Sequence, residues 1–145
     1  MTAISGSFPG KARLQTNVTL SDSPNHELNL VEVTGPQKAV DANWNDARVT
    51  NWGIADLVAG AGPQRGYFVT DHADGDRDWG TFEGKITASG EQVTLEGTWK
   101  FTGGTGKFSG LIGIGSYKGR MTSPSEVDMN WTGEYQLAQA KAAAD

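Results

Sequence analysis

The feature that most constrains this chain is a two-residue alternation of apolar and polar side chains. In residues 92–101 every even position is polar, and the odd positions hold Val93, Leu95, Gly97, Trp99 and Phe101. Residues 126–137 keep the same alternation, again with the apolar and small side chains at odd positions. Side chains along a strand point alternately to opposite faces, whereas a helix repeats every 3.6 residues. Both segments are therefore predicted to be β-strands with one apolar face.

Six further segments have the length and composition of strands. They are residues 12–20, 27–34, 48–58, 66–72, 79–88 and 112–122. Turn-forming residues cluster between them, and Ser89-Gly90 has the form of a tight hairpin. Eight short antiparallel strands are enough to close a small barrel. We expect an all-β chain in which residues 1–137 form one domain, an eight-stranded antiparallel closed barrel.

Two segments do not fit a strand. Residues 35–45 contain Pro36 and Trp44 and are predicted to cross one end of the barrel. Residues 138–145 are rich in alanine but too short for a stable isolated helix. They are predicted to form a short tail, either helical or disordered.

The composition excludes several classes of function. The 12 lysines and arginines form no run and the net charge is −5, whereas a nucleic-acid surface needs clustered cations. The sequence has no stretch of about 20 apolar residues that could span a membrane. Its first residues have neither the basic nor the apolar region of an export signal. A cytoplasmic protein is therefore predicted, and a signal removed earlier is left open.

Metal and cofactor chemistry has no support in the sequence. The chain has no cysteine and only two histidines, too few for a typical zinc or iron site. Asp74, Asp76 and Asp78 have the spacing of the first calcium ligands of an EF-hand loop, but the glycine and glutamate of that loop are missing. We predict a solvated turn there. The sequence has no phosphate-binding loop and no dinucleotide motif, so neither a metal nor a cofactor is expected.

One run of residues has the form of a known family's turn. Residues 103–110 read GGTGKFSG, followed by LIG at 111–113 and SYKG at 116–119. This run resembles the glycine-rich turn of the allene oxide cyclase and dirigent barrel superfamily, including its uncharacterised bacterial branch. The resemblance covers roughly residues 79–137. It implies a calycin-like or allene oxide cyclase-like barrel, with Phe108 and Leu111 plugging one end.

The resemblance also implies what such a barrel does. The cyclases of the family enclose an apolar sleeve with few polar groups, in which an inward carboxylate steers charge. The dirigent proteins guide the coupling of phenolic radicals. Relatives form dimers or trimers, so a homo-oligomer is expected. This chain departs from the plant cyclases because it has no cysteine.

Aromatic residues fall on most of the predicted strands. The predicted ligand-binding residues are Trp52, Phe82, Trp99, Phe101, Trp131 and Tyr135. Turned inward, these side chains would line a cavity for a flat or hydrophobic small molecule. The alternative is a barrel filled by its own side chains. The five tryptophans among 145 residues are the observation that keeps a pocket open as an alternative to a filled barrel.

Four polar residues are the candidates for catalysis. In residues 112–122 the parity of the two isoleucines continues to Arg120, so an inward orientation would bring Arg120 toward Glu83. The two would then form a buried charged pair acting as a general base or charge clamp. A surface salt bridge is the alternative. Tyr67 is a candidate hydroxyl donor, and His72, at a strand end, is a candidate acid or base at the rim.

The opposite parity of residues 112–122 is almost free of bulk. It consists of glycines together with Tyr117 and Met121. If the isoleucines point inward, this bare face lies outside, where a partner chain can approach closely. It is a second reason to expect a homo-oligomer, a dimer or a trimer.

Two functions fit these residues. The first is a cofactor-free isomerase, cyclase or lyase that confines a small hydrophobic substrate, such as an oxylipin, terpenoid or phenolic, and steers its charge. The second is a non-catalytic carrier or sensor, which needs the same aromatic lining but none of the ionisable groups. A scaffold with a solid core is a third alternative.

Overall fold

Nine β-strands and one short 3-10 turn make up the part of the chain that the structure, a computed structural model, describes, residues 1–137. In chain order the strands are β1 (Thr2–Leu20), β2 (His26–Pro36), β3 (Lys38–Ala39), β4 (Arg48–Val58), β5 (Gly62–Asp71), β6 (Arg77–Ser89), β7 (Gln92–Gly104), β8 (Ile112–Ser123) and β9 (Glu126–Gln136). The turn, Gly106–Phe108, lies between β7 and β8. The tail predicted for residues 138–145 lies outside the described residues.

The strands close into an antiparallel barrel. The sheet runs β1, β2, β4, β5, β6, β7, β8, β9, and β9 pairs with β1 to close it. The two-residue strand β3 pairs with β1 near one end. The predicted eight-stranded antiparallel closed barrel is confirmed, and each of the eight predicted strands overlaps one strand of the barrel.

β1 extends well beyond the predicted strand because its first half closes the barrel. Residues 2–11 pair with β9, and residues 11–20 pair with β2 on the other side. The strand predicted over residues 12–20 is only the second half of β1. Gly6, Pro9 and Gly10 lower the strand propensity of the first half, and pairing with β9 overrides that local preference.

The alternation predicted for β7 and β9 corresponds to the two faces of the barrel wall. On both strands the odd-numbered side chains point inward, and Trp99, Phe101, Trp131 and Tyr135 are buried. The polar side chains between them are exposed. The interior of the barrel is therefore aromatic.

On β8 the orientation with the isoleucines inward is wrong. Ile112 and Ile114 are 53% and 63% exposed, and Tyr117 is buried. The glycines of β8 share the parity of Tyr117, so they face the interior. Because they do not form a bare outer face, that reason for expecting an oligomer does not hold.

Inward aromatic rings lie over glycines of neighbouring strands. In the register, Trp99 on β7 is opposite Gly115 on β8, and Gly115 is opposite Gly133 on β9. A Cβ at Gly133 would lie 2.6 Å from the Trp99 indole, and one at Gly115 would collide with the same ring. Phe82 lies over Gly66 in the same way. Each ring thus occupies space that side chains on the next strands would otherwise fill.

The segment between β2 and β4 closes one end of the barrel. Its Trp44 is 1% exposed. The indole packs against Phe101, Phe108 and Tyr135, with ring centroids 4.8–5.7 Å apart. Leu111 is buried in the same cluster. The crossing predicted for residues 35–45 is therefore observed between β2 and β4, but Gly35 and Pro36 still belong to β2, and Lys38–Ala39 form β3. Phe108 and Leu111 plug this end.

We expect Gly115→Ala to destabilise the protein by about 2 kcal/mol, because a methyl group under the Trp99 indole overpacks the wall. Ser116→Ala, the matched exposed change one residue along β8, should alter stability by less than about 0.5 kcal/mol. Urea unfolding followed by tryptophan fluorescence measures both. Equal unfolding midpoints for the two variants would show that the packing of the Trp99 indole does not require a glycine at position 115.

Candidate functional site

The barrel encloses a cavity of about 580 Å³. Gln37 and Trp44 lie at its floor, at the closed end. Turn residues of the opposite end, including Gly60, Glu91 and Pro124, border its mouth. The volume lies in the range of cavities that bury small molecules.

Apolar side chains from all parts of the sheet line the cavity. The largest of them are Phe68, Phe82, Leu95, Trp99, Phe101, Met129 and Trp131. Edge-to-face contacts connect the rings, such as the perpendicular pair of Trp99 and Trp131 with centroids 5.8 Å apart. Rings packed against one another and against backbone give the wall a fixed shape.

The polar groups of the wall are uncharged except at the mouth. Side-chain amides of Gln15, Asn29 and Asn51 reach the cavity, and the carboxylates of Glu91 and Glu126 border its opening. Among the described residues that line it, there is no lysine, arginine, histidine or aspartate. An ion buried without a counter-charge loses its hydration with no compensation. The cavity therefore favours a neutral occupant.

Tyr117 and Gln64 form a hydrogen-bonded pair across four strands of the wall. Tyr117 on β8 lies opposite Gly97 on β7. Gly97 lies opposite Gly84 on β6, which is opposite Gln64 on β5. A Cβ at either glycine would lie 2.6–2.7 Å from the tyrosine hydroxyl. The missing side chains let the tyrosine reach Gln64, whose Nε2 donates to the hydroxyl oxygen at 2.8 Å.

This pair presents a hydrogen-bond donor to the cavity. Since the oxygen of Tyr117 accepts the bond from Gln64, its own O–H remains available for another acceptor. Burial raises the pKa of Tyr117 above its ordinary value. The phenol therefore stays neutral at physiological pH and acts as a donor. A carbonyl, ether or epoxide oxygen is the kind of group it would bind.

A buried carboxylate holds the floor in place. Asp78 Oδ2 accepts hydrogen bonds from Trp44 Nε1 at 2.9 Å and from His72 Nε2 at 2.7 Å. Because a carboxylate only accepts, Nε2 of His72 carries a proton. Asp78 is fully buried, and the imidazole stacks on Phe108 with centroids 4.3 Å apart. These contacts fix the orientation of the indole that closes the barrel.

A second set of hydrogen bonds holds the same segment from the other side. The hydroxyl of Tyr135 donates to Asp41 Oδ2 at 2.6 Å. Burial, followed by the contact with the Asp41 carboxylate, raises the pKa of Tyr135 to about 12. Gln37 Nε2 donates to the carbonyl of Trp44 at 3.4 Å. The floor is thus tied to β6 through Asp78 and to β9 through Tyr135.

Four of the six predicted ligand-binding residues line the cavity. These are Phe82, Trp99, Phe101 and Trp131. Tyr135 points inward but lies beneath the floor, against Trp44. Trp52 is on the outer surface, where its Nε1 donates to Glu32 at 2.7 Å, so its predicted inward orientation is wrong.

The four predicted catalytic residues lie outside the cavity lining. Glu83, Arg120 and Tyr67 are exposed on the outer surface. Glu83 is opposite Thr98 of β7 and Arg120 is opposite Thr94, four residues away, so the buried charged pair is not formed. His72 is at the barrel end where it was predicted, but it lies beneath the floor and is bound to Asp78.

The three aspartates with calcium-like spacing point to different partners. Asp74 Oδ1 accepts from the backbone N–H of Asp76, and Asp76 Oδ2 accepts from that of Lys107. Asp78 belongs to the floor, so the solvated turn predicted here ends before it. In residues 1–137 the structure places no group of three histidine, cysteine or acidic side chains suited to a metal ion. Those residues also contain no helix long and apolar enough to cross a membrane.

The sequence did contain signals for the residues that were missed. Tyr117 shares the parity of the β8 glycines, and glycines at Gly84 and Gly97 mark a place where a long side chain crosses the wall. Trp44 was placed at a barrel end, but its partner was not identified. Asp78 is the last of three aspartates at alternate positions, after Asp74 and Asp76, and nothing in that run of the sequence marks it as buried.

We expect Asp78→Asn to destabilise the protein by about 2 kcal/mol, because Trp44 and His72 exchange a charged acceptor for a neutral amide oxygen, and the buried amide NH₂ takes the place of Oδ1, which has no partner among the described residues. Asp71→Asn is the matched control on the same hairpin, and it removes only the exposed ion pair with Arg77. Urea unfolding should separate the two variants. If both lose equally little stability, Asp78 does not hold the floor.

Comparison with known proteins adds no relative. No protein-family model matches the chain, and a search of curated proteins finds no match. The resemblance of residues 79–137 to the allene oxide cyclase and dirigent superfamily therefore stays a prediction, carried by the glycine-rich turn alone.

Proposed function

We propose that the barrel binds a neutral, largely apolar small molecule in its cavity and acts as a carrier or sensor. The observation that carries this proposal is the lining, which is aromatic and aliphatic and, below the mouth, uncharged among the described residues. An apolar cavity with a few fixed polar groups is the usual form of a small-molecule site. Transfer of an apolar molecule from water into such a space is favourable.

The ligand should have an apolar body and one acceptor oxygen. The walls offer rings and aliphatic chains, and Tyr117 offers a neutral O–H held in position by Gln64. Terpenoid and phenolic molecules with a ketone or ether oxygen have this form, as do uncharged oxylipins. Anionic ligands are disfavoured because Glu91 and Glu126 carry the same sign of charge at the mouth.

The enzymatic alternative, a cofactor-free isomerase, cyclase or lyase, would use the same cavity, but with fewer ionisable side chains than the sequence predicted. Its charged pair, Glu83 and Arg120, lies outside. Below the mouth, Tyr117 is the one titratable side chain among the described lining residues. Such an enzyme would act by confining its substrate against uncharged hydrogen-bonding groups, among them the hydroxyl of Tyr117. A carrier requires no more than the binding that the lining provides.

The cavity is tested by filling it. Leu95 lines the cavity on β7, and its neighbour Thr94 points outward. We expect Leu95→Trp to weaken binding of the neutral fluorophore N-phenyl-1-naphthylamine at least about tenfold, a change of about 1.4 kcal/mol. Thr94→Trp adds the same indole outside and should leave the dissociation constant unchanged. Equal affinity of the two variants, or no saturable binding to the parent protein, would overturn the proposal.

The hydrogen-bond donor is tested with a ligand that carries an acceptor. We expect Tyr117→Phe to weaken binding of the naphthyl ketone prodan about fivefold to tenfold, the effect of one lost hydrogen bond. N-phenyl-1-naphthylamine has no carbonyl group and should bind Tyr117→Phe as it binds the parent.

Tyr67→Phe is the matched control, because this tyrosine is 62% exposed on the outer surface. It should leave the affinity for both probes unchanged. A Tyr117→Phe variant that binds prodan as tightly as the parent does would show that the cavity recognises shape alone.

A further inference from the structure

The second half of β1 has an unpaired edge. Pairing between β1 and β9 ends at Lys11 and Glu126. Arg13 lies at a register shift without a partner on β2, and from Leu14 to Leu20 β1 pairs only with β2. No other strand of residues 1–137 lies along the other side of this segment. Every second residue of such an edge turns both its N–H and its C=O away from the sheet. This segment therefore presents a row of backbone groups suited to another strand.

The outer face of the same hairpin is apolar. Leu14 and Val18 on β1 are 64% and 53% exposed, and Leu30 on β2 is 51% exposed. Leu28 is opposite Val18, and Ile54 on β4 is opposite Leu30, so the side chains form one continuous patch. We call these five residues the hairpin patch.

Near its turn the inner face of the hairpin is polar, which inverts the usual pattern of a barrel, whereas Val31 and Val33 of β2 keep that pattern farther along. Gln15, Asn17 and Asn29 occupy the alternate positions, and Asn29 donates to Asn17. Side chains at the sheet surface that faces water are normally the polar ones. The inversion indicates that the outer surface of this hairpin is the one that becomes buried.

We propose that a second copy of this chain docks on the unpaired edge, with the two β1 strands antiparallel about a two-fold axis at Asn17. This register places Leu14 opposite the partner's Leu20 and Thr16 opposite the partner's Val18. Opposed residues of an antiparallel pair lie on the same side of the sheet, so the two hairpin patches merge into one apolar surface. An edge that pairs with itself closes the assembly as a dimer.

The charges of the segment are compatible with self-pairing. Arg13 is the one charged residue from Arg13 to Leu20, and it already pairs with Glu32 of its own chain at 3.4 Å. In the proposed register it lies opposite the partner's Ser21, so no like charges face each other. A symmetric dimer therefore buries the edge and the patch without an uncompensated ion.

The test is the mass of the protein in solution, measured by multi-angle light scattering over a range of micromolar concentrations. We expect a dimer for the parent chain. Leu14→Lys with Val18→Lys should raise the dimer dissociation constant at least about a hundredfold, because charges would be buried at the centre of the interface. Ile112→Lys with Ile114→Lys is the matched control, since these side chains are equally exposed on β8, and it should remain dimeric.

A cysteine at the axis tests the register. The chain has no cysteine, so Asn17→Cys introduces a single thiol that would lie opposite its copy. Mild oxidation should cross-link this variant, whereas Ile114→Cys should stay uncross-linked at the same concentration. Urea unfolding followed by tryptophan fluorescence confirms that each variant is folded. A monomeric parent, a dimer that survives the two lysines, or a dimer that Asn17→Cys does not cross-link would each overturn the proposal.

Discussion

The structure depends on aromatic rings that lie flat against glycines of neighbouring strands. A glycine within a strand loses more conformational entropy on folding than alanine and contributes no side chain to packing. Here the loss is offset because Trp99 covers Gly115 and Gly133, and Tyr117 covers Gly84 and Gly97. Rings that lie along the wall bury their area against backbone and leave the axis of the barrel open. The same packing that stabilises the sheet therefore produces the cavity.

A cavity of this kind needs a floor, and a single tryptophan provides it. Trp44 is on an irregular segment whose backbone hydrogen bonds, such as that from Trp44 N–H to the carbonyl of Asp41, fix the course of the chain but not the direction of the indole. The carboxylate of Asp78 supplies the missing constraint by accepting from both the indole and His72. A histidine and an aspartate in hydrogen-bond contact resemble a catalytic pair, but here the indole separates them from the cavity. Their role is to position Trp44.

The strands could be predicted because alternation and turn residues are local signals, and they identified the closed barrel and four lining aromatics. Orientation was less accessible where both faces of a strand carry apolar residues. On β8 the size of the isoleucines predicted that they face inward. The indole of Trp99 occupies the interior next to β8, however, and only a glycine fits beneath it. On β4, Trp52 and Ile54 face outward beside the leucines of β2. Bulk alone predicts the inner face only when neighbouring strands leave room for it.

β1 connects the closure of the barrel with the surface that it leaves free. A closed barrel requires its strands to be staggered, and in residues 1–137 β1 is the strand whose two halves pair with different neighbours. One half of β1 must then extend past the end of β9 with an unpaired edge. The extension carries Gln15, which lines the cavity and donates to the carbonyl of Pro124 at its mouth. A partner strand on that edge would lie next to the entrance, so assembly and access to the cavity depend on the same eight residues, Arg13 to Leu20.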